Sequence, residues 1–436
     1  MDFGINIIGF ASANLGLGHT TREFIRALLD RGTEIRILDL DAGHGRSKID
    51  NTFQNLFVDS ASDLPHPVNL LILSASALAD LALFPPRGLT TEGRLNAAFV
   101  WWELPEMPSH WYEAGRYFDA LIAGSDFVQN TLARHIPGVP VLLAPHPIEM
   151  PDHVLPNRAR FGLPEAAFLV CMGFEPHSDP VRKNPLGAIE AFKIAYAGRS
   201  DCHLVIKVNN PNVTGKSLQL LEQVYLIARE DPRIHLIEDS LPYGDLLSLY
   251  ASCDAFISLH RSEGLGLIPL EAMRLGKPVV VTGWSGNMSY MNQRNACLVN
   301  FDFQPTNNDS PFYGPKALGI NSYWAEPDIG HAAAWLRKLA DDTDFRVKLG
   351  QCAATDAARY QENAKQAEFV DELKSIWENR DLASEKNRPA ILQNVREMRE
   401  QDELRQIGAL NRIGHKAALG IKRNLDRHLL WRFRKP

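Results

Sequence analysis

Two glutamates, Glu263 and Glu271, stand with seven residues between them in the segment His260-Arg-Ser-Glu-Gly-Leu-Gly-Leu-Ile-Pro-Leu-Glu-Ala-Met273. Glu271 is four residues from both Leu267 and Leu275, on the apolar stripe of an expected helix, where a carboxylate is rarely buried unless something pairs with it. The pair therefore reads as ligand-binding rather than as two surface charges. A strand is expected to end at about Leu259 and a helix to start near Leu267, with a glycine-bearing turn between and Pro269 in the first turn, where a missing N–H costs nothing. Free amides and the dipole at such a helix start favour a phosphate or a developing anion.

Cations suited to the same ligand lie elsewhere in the chain. Arg182 and Lys183 immediately precede a helix that Asn184 is expected to cap, with Pro185 at its first position. Lys207 ends the apolar run Leu204-Val205-Ile206 and is a second candidate, for phosphate or for structure. Gly16-Leu17-Gly18-His19 is expected to join the first strand to the first helix, where glycine lets backbone approach a ligand. It lacks the third glycine of a dinucleotide fingerprint. Trp101, Trp102 and Glu103 end a strand and precede Glu106, His110 and Trp111. Aromatic faces stack on sugar rings and a carboxylate can orient a hydroxyl, although tryptophan is more often core. No His/Asp/Glu cluster suggests a metal, and no Ser–His–Asp elbow is recognisable.

These residues need a frame that gathers them. Short apolar runs alternate with amphipathic stretches: Ile5–Ala11, Ile35–Leu40, Asn69–Leu73, Ala97–Trp102, Ala120–Ala123 and Val139–Ala144 read as strands, with helices at Thr20–Arg31 and from Ser125 to about His135. Five prolines then fall between Ala144 and Pro164, marking a linker. The alternation restarts with Phe168–Gly173, His203–Val208, Ile234–Glu238, Ala255–Leu259, Pro278–Thr282 and Cys297–Asn300, and helices at Pro185–Tyr196 and Pro242–Ser252. Strands separated by helices pair in parallel, so two doubly wound α/β halves are expected, with ligands at the carboxyl ends of their strands. After about Asp341 the chain reads as helical.

Composition agrees. The 436 residues are 45% hydrophobic and 22% charged with a net charge of −6, the mix of a globular protein of two or three domains rather than a disordered chain or one that coats nucleic acid. Five scattered cysteines without a CxxC pair suit a reducing cytosol, and no apolar run is long enough to span a membrane. From Arg412 to Pro436 eight Lys/Arg face one acid. That tail, with Leu425, Leu429, Leu430, Trp431 and Phe433, suits an anionic membrane surface, and Gly414 and Gly420 suit a helix that forms only on contact.

The segment Ser-Glu-Gly-Leu-Gly-Leu-x-x-Leu-Glu-Ala-Met resembles the family 4 retaining glycosyltransferases of the GT-B fold. Arg182-Lys183-Asn184-Pro185-Leu186, Trp101-Trp102-Glu103-Leu104-Pro105, Gly283-Trp284-Ser285-Gly286-Asn287 and Trp324-Ala325-Glu326-Pro327 add to a likeness that runs from about residue 5 to 350. Together they look like a bacterial subgroup that builds surface polysaccharides, often with mannose.

The resemblance implies two Rossmann-like parallel-sheet domains facing across a cleft, an acceptor-side one at 1–150 and a nucleotide-sugar one at 164–350. Helices at 351–380 would cross back to the first, and 381–436 would form a basic helical tail. It gives Glu263 the donor sugar's hydroxyls, Glu271 the ribose hydroxyls, and Arg182 with Lys183 the charge of the leaving diphosphate. An ionised carboxylate suits hydroxyl partners, each charge-assisted bond being worth about 1.5–3 kcal/mol.

Where many members carry a helper histidine the nearest residues by position are Trp102 and Glu103, Glu103 being the catalytic candidate, and Gly16, Gly18, Trp102, Lys207, Arg261, Gly264, Leu265, Gly266 and Leu267 fall to substrate binding. The implied donor is a GDP- or UDP-linked sugar, with no other cofactor and no metal. The implied acceptor is a lipid-linked or growing glycan, and the place is the cytoplasm or the inner membrane face. Asp39-Leu-Asp41 matches the metal-binding triplet of the other glycosyltransferase fold, a chance pattern in this architecture. A sugar-nucleotide epimerase of the same fold and a non-catalytic glycan- or membrane-binding module are the alternatives.

Overall fold

The computed structural model describes residues 3–13, 16–40, 50–151, 153–380 and 383–408, the side chains of 383, 384 and 404–408 excepted. Asp41 of the Asp-x-Asp triplet and the basic tail at 409–435, with Gly414 and Gly420, lie outside the described residues. The chain divides into two compact units. The first comprises Met1–Trp102, Met107–Pro147 and the described residues from Asn363 on; the second comprises Glu103–Glu106 and Ile148–Glu362.

The first unit is a six-stranded parallel sheet of β1 (Gly4–Gly9), β2 (Glu34–Asp39), β3 (Val68–Ser74), β4 (Leu95–Trp101), β5 (Ala120–Ala123) and β6 (Val141–Leu143). Their order is β2-β1-β3-β4-β5-β6. β1 is buried along its whole length and β3 and β4 nearly so, as continuous apolar strands covered on both faces must be. A polar ladder runs through this core: Asn6 Nδ2 donates to Asn69 Oδ1 and Asn69 Nδ2 to Asn96 Oδ1, both at 2.9 Å. Buried amides tolerate only a register in which each finds its partner, so the ladder fixes the pairing of β1, β3 and β4. The helix Phe369–Glu378 lays Phe369, Val370 and Leu373 into the same core.

The second unit is a six-stranded parallel sheet of β7 (Phe168–Phe174), β8 (Cys202–Val208), β9 (Ile234–Ile237), β10 (Ala255–Ser258), β11 (Val279–Thr282) and β12 (Cys297–Val299), in the order β12-β11-β10-β7-β8-β9. Counted from β7, this is the 3-2-1-4-5-6 order of a doubly wound dinucleotide-binding sheet, with its topological switch point between β7 and β10. An antiparallel hairpin of β13 (Phe301–Pro305) and β14 (Tyr323–Pro327) follows β12. Its first strand alternates Phe301-Asp302-Phe303-Gln304 but is only five residues long and almost wholly exposed, so it carries little signal in the sequence.

The units part at Pro147 and Ile148, and residues 148–163 belong with the second sheet. Arg158 ties that segment down by donating to Asp254 and to the carbonyls of Pro164, Glu165 and Ala167. The helix Thr343–Lys365 runs unbroken past residue 350, burying Ala353 and Ala357. The turn back to the first unit therefore comes at Asn363 rather than at 351. Among the described residues no helix is long and apolar enough to cross a membrane.

Candidate functional site

The carboxyl ends of β7 and β10, the two strands at the switch point, launch the two loops that matter. After β7 the chain reaches Asp179, whose carboxylate caps the short helix Pro180–Lys183 by accepting from the amides of Val181 and Arg182. Its other oxygen accepts from Ser310 Oγ and Phe312 N. Asn184 then ends this helix and caps the next, Pro185–Ala195, through Gly187 N at 3.2 Å. Its amide donates to Leu259 O beyond the end of β10. The two short caps thus set Arg182 and Lys183 against the β10 loop.

There they meet Glu263. Lys183 Nζ lies 2.5 Å from Glu263 Oε1 and Arg182 Nη1 3.1 Å from Glu263 Oε2. Burial alone would raise the Glu263 carboxyl, but Lys183 and Arg182 outweigh it and hold it at about 2. Burial likewise lowers Lys183 despite Glu263, while Arg182 is raised because Glu263, Tyr313 and Glu103 overcome its desolvation. Arg182 also donates to Ser262 O, Ser178 O and Ser178 Oγ, and its Nε finds no acceptor among the described residues. Its side chain is 1% exposed and that of Lys183 18%. Arg182 is accordingly the bracket of the triad and Lys183 its accessible cation.

The helix Leu267–Arg274 begins where expected, with Gly266 at φ 88° as its cap. Gly266 supplies a conformation that side-chain-bearing residues avoid. The preceding turn is clamped to the loop after β11: Ser285 Oγ accepts from Glu263 N and Gly286 N donates to Glu263 O, both at 2.9 Å. A Cβ on Gly286 would sit 2.1 Å from Gly264 O, and Ser285 holds φ 75° to make the approach. Asp179 and Asn184 are also at positive φ. Three of the five such non-glycine positions among the described residues therefore surround Glu263, and strain of this kind persists where surrounding structure over-determines it.

Glu271 is buried on this helix and accepts from Tyr243 Oη at 2.9 Å. Tyr290 donates to Gly266 O, and its phenol is pushed well up by burial first, then by Tyr360, Glu263 and Glu271. Both carboxylates therefore act on one buried ring. Glu103 joins from another direction: its carboxylate accepts from Tyr313 Oη at 2.7 Å, its carbonyl accepts from Ser262 Oγ, and the Tyr313 ring lies 5.3 Å from the Arg182 guanidinium.

Other expected site residues take structural places. Arg261 grips Glu326 with two nitrogens and donates to Val181 O, over the Trp324 ring. Lys207 is buried with Nζ on Val208 O, its charge disfavoured by burial. Trp102 packs edge-on against Trp111. Gly16 and Gly18 lie inside the first turn of the helix Gly16–Asp30 rather than in a joining loop. A Cβ on Gly18 would fall 2.0 Å from Ala13 O, so close helix packing requires this glycine. Asp39 is spent on Ser12, accepting from its amide and hydroxyl. Leu265 is buried beside Gly264, and Leu267 opens the helix.

Sequence reasoning missed Asp179, Tyr243 and Tyr313, and gave Ser285 only as part of the Gly283–Asn287 motif, without its bond to Glu263. Asp179-Pro180 repeats the Asn184-Pro185 cap pattern and was readable; Tyr313, in an irregular loop, gave no signal. Among the described residues no group of three or more His, Cys, Asp or Glu side chains is placed to hold a metal ion.

Residues 178–304, the segment that carries both loops, match the family model described as glycosyl transferases group 1. No curated protein matches the sequence. Solved structures do match by shape. Alr3699/HepE of Anabaena, solved with UDP and glucose, shares 14% identity over 86% of this chain and 100% of its own, with a TM-score of 0.57. Sucrose-phosphate synthase of Thermosynechococcus elongatus shares 13% over 86% and 99%, at 0.64. The UDP-forming alpha,alpha-trehalose-phosphate synthase of Burkholderia vietnamiensis shares 12% over 86% and 100%, at 0.60. The α/β fold with two parallel six-stranded sheets is thus of the GT-B kind.

Proposed function

We propose that this chain is a retaining glycosyltransferase that moves a sugar, mannose favoured, from a nucleotide diphosphate sugar to a lipid-linked or growing glycan in bacterial surface polysaccharide synthesis. The observation that carries the reading is the Arg182–Glu263–Lys183 triad at the switch point of the second sheet, inside the segment matched by the group 1 model. UDP in the Anabaena protein supports a nucleotide-linked donor, and a GDP-linked one fits the same chemistry.

When the glycosidic C–O bond to phosphate breaks, the departing diphosphate gains charge. Lys183 and the amides at the start of the helix Leu267–Arg274 are the groups that would meet it, a preorganised arrangement of the kind that often dominates catalysis. Arg182 would hold both in place while adding its field. Glu263, ionised at any physiological pH, would accept sugar hydroxyls, and Glu271 the ribose hydroxyls. As in the family the sequence resembles, the acceptor oxygen would attack from the face the diphosphate leaves, its proton passing to the departing phosphate oxygen. The reading needs no metal or further cofactor. It places the enzyme in the cytoplasm or on the inner membrane face.

Turnover of radiolabelled UDP-glucose and GDP-mannose with a glycan acceptor tests it. Label should enter the glycan with the donor's anomeric configuration. A new sugar nucleotide formed without acceptor would instead identify an epimerase, an inverted product would reject retention, and no conversion of either donor would reject transfer from both.

A further inference from the structure

Trp284, Phe301, Phe303 and Tyr323 gather into one aromatic group on the surface of the second unit. The Phe303 ring lies 5.3 Å from Phe301, 5.1 Å from Tyr323 and 5.4 Å from Trp284, and Trp284 lies 6.3 Å from Phe301 and 6.4 Å from Tyr323. Phe301 and Phe303 alternate along β13, and Tyr323 pairs with Pro305 in the antiparallel register, so all three occupy one face of the hairpin. Rings of this size normally go to the core, yet Phe303 is 55% and Tyr323 36% exposed, with Trp284 and Phe301 half-buried. A contiguous exposed apolar patch of this kind marks an interaction site.

The group is held firmly. Trp324, on β14, is buried beneath the Arg261 guanidinium, and Arg261 in turn grips Glu326. Trp284 directly precedes Ser285, whose hydroxyl receives the Glu263 amide. The rings are thus mounted on the frame that positions the ion triad.

The surroundings select the ligand class. Neither strand of the hairpin nor the stretch 306–315 contains a lysine or arginine, and the two cations that bond to them among the described residues are engaged, Arg261 with Glu326 and Lys216 with the Asn308 carbonyl. By the same alternation Asp302 and Gln304 stand on the opposite face, with Trp324 and Glu326, and the exposed amide next to the rings in the chain is Asn321, just before β14. Anionic lipid or a free phosphate calls for cations there. A pyranose ring offers C–H groups to a flat aromatic face and hydroxyls to a neighbouring amide, the mixture of apolar wall and few polar groups typical of small-ligand sites. We propose that this platform is a saccharide-stacking subsite that takes a ring of a neutral glycan. The inference deepens the sugar-transfer reading, and rests on it only for the role of that glycan as acceptor.

The test titrates short α-linked manno- and gluco-oligosaccharides into the full chain, with saturation-transfer NMR for contact and calorimetry for affinity. Phosphatidylcholine–phosphatidylglycerol vesicles form a parallel arm. Phe303→Ala with Tyr323→Ala, both exposed, should keep the melting temperature and weaken oligosaccharide binding about tenfold or more, and Phe303→Trp should retain binding. Absence of oligosaccharide binding, equal affinity in the double variant, or capture of vesicles in place of saccharide would overturn the proposal. UDP and GDP titrations on the same samples keep the two readings apart. Nucleotide binding without saccharide binding sinks the platform alone, whereas saccharide binding without nucleotide binding counts against sugar transfer and leaves the platform standing.

Discussion

At the carboxyl ends of β7 and β10 the second unit assembles full charges: a carboxylate held at about 2 between a buried guanidinium and a partly exposed ammonium, on loops with three residues at positive φ. At the ends of β4 and β6 the first unit gathers a hydroxyl, an indole and imidazoles instead, with the buried Arg22, paired with Asp50 at 3.1 Å, acting on His19. Trp101 Nε1 donates to Thr20 Oγ1 at 3.3 Å, and His146 Nε2 lies 3.1 Å from the same hydroxyl. Burial first, and then His19, holds the His146 imidazole at about 3. Burial, followed by Arg22 and Arg26, lowers His19 to about 4. Two sheets of one architecture thus carry different groups at their strand ends, and on the proposed reading the cations and helix start of the second unit would take the diphosphate. Parallel α/β sheets leave their strand ends free to vary in this way because the core is made by the strands and the chemistry by the loops.

The contrast can be broken most severely at Arg182. Arg182→Met would leave Glu263 and two backbone carbonyls without their buried partner, and the expected loss is about 3–5 kcal/mol of stability in denaturant unfolding. An unchanged midpoint would deny the bracket role. Lys183→Met should leave folding nearly intact and lower kcat about 10²–10³-fold. Thr20→Val in the first unit should cost far less, and equal losses at the two positions would erase the division of labour.

The smallest effect is on pH dependence. His146 and His260 are held at about 3 and about 4, His260 by burial first and then by Lys183 and Arg182, against 6.5 when unperturbed. The unfolded chain therefore takes up protons before the folded one does, and stability falls as pH drops from 6.5 toward 4. Glu263, lowered from 4.5 to about 2, adds its own loss only below 4.5. His146→Gln and His260→Gln should each reduce the fall in melting temperature between pH 6.5 and 4.5 by about 4–8 °C. Glu263→Gln should change only the more acidic range, and a wild-type slope in either histidine variant would deny that its imidazole is buried neutral.

Much of this was readable from residues in order. Continuous apolar runs separated by helices give parallel strands because nothing else covers both faces of such a sheet, and Asn184-Pro185 and Gly266 announce helix starts by local chemistry. The two glutamates were legible because a carboxylate on an apolar stripe demands a partner. What escaped depends on long-range encounters. Tyr313 bonds Glu103 across 210 positions, and Ser285 reaches Glu263 across 22. The partner of Arg261, Glu326, lies 65 positions away and could not be read from its neighbours. The close approach of the Ala13 carbonyl to Gly18 is likewise invisible in the Gly16–Gly18 spacing.

The central claim is that the buried carboxylates and cations of the second unit bind a nucleotide, and calorimetric titration of UDP and GDP into the intact chain and into Glu271→Ala addresses it most directly. The account predicts saturable binding of at least one nucleotide by the wild type and, since a hydrogen bond to a charged group is worth about 1.5–3 kcal/mol, affinity about 10- to 100-fold weaker in the variant. Failure of both nucleotides to bind, or identical affinity with Glu271 removed, would contradict it.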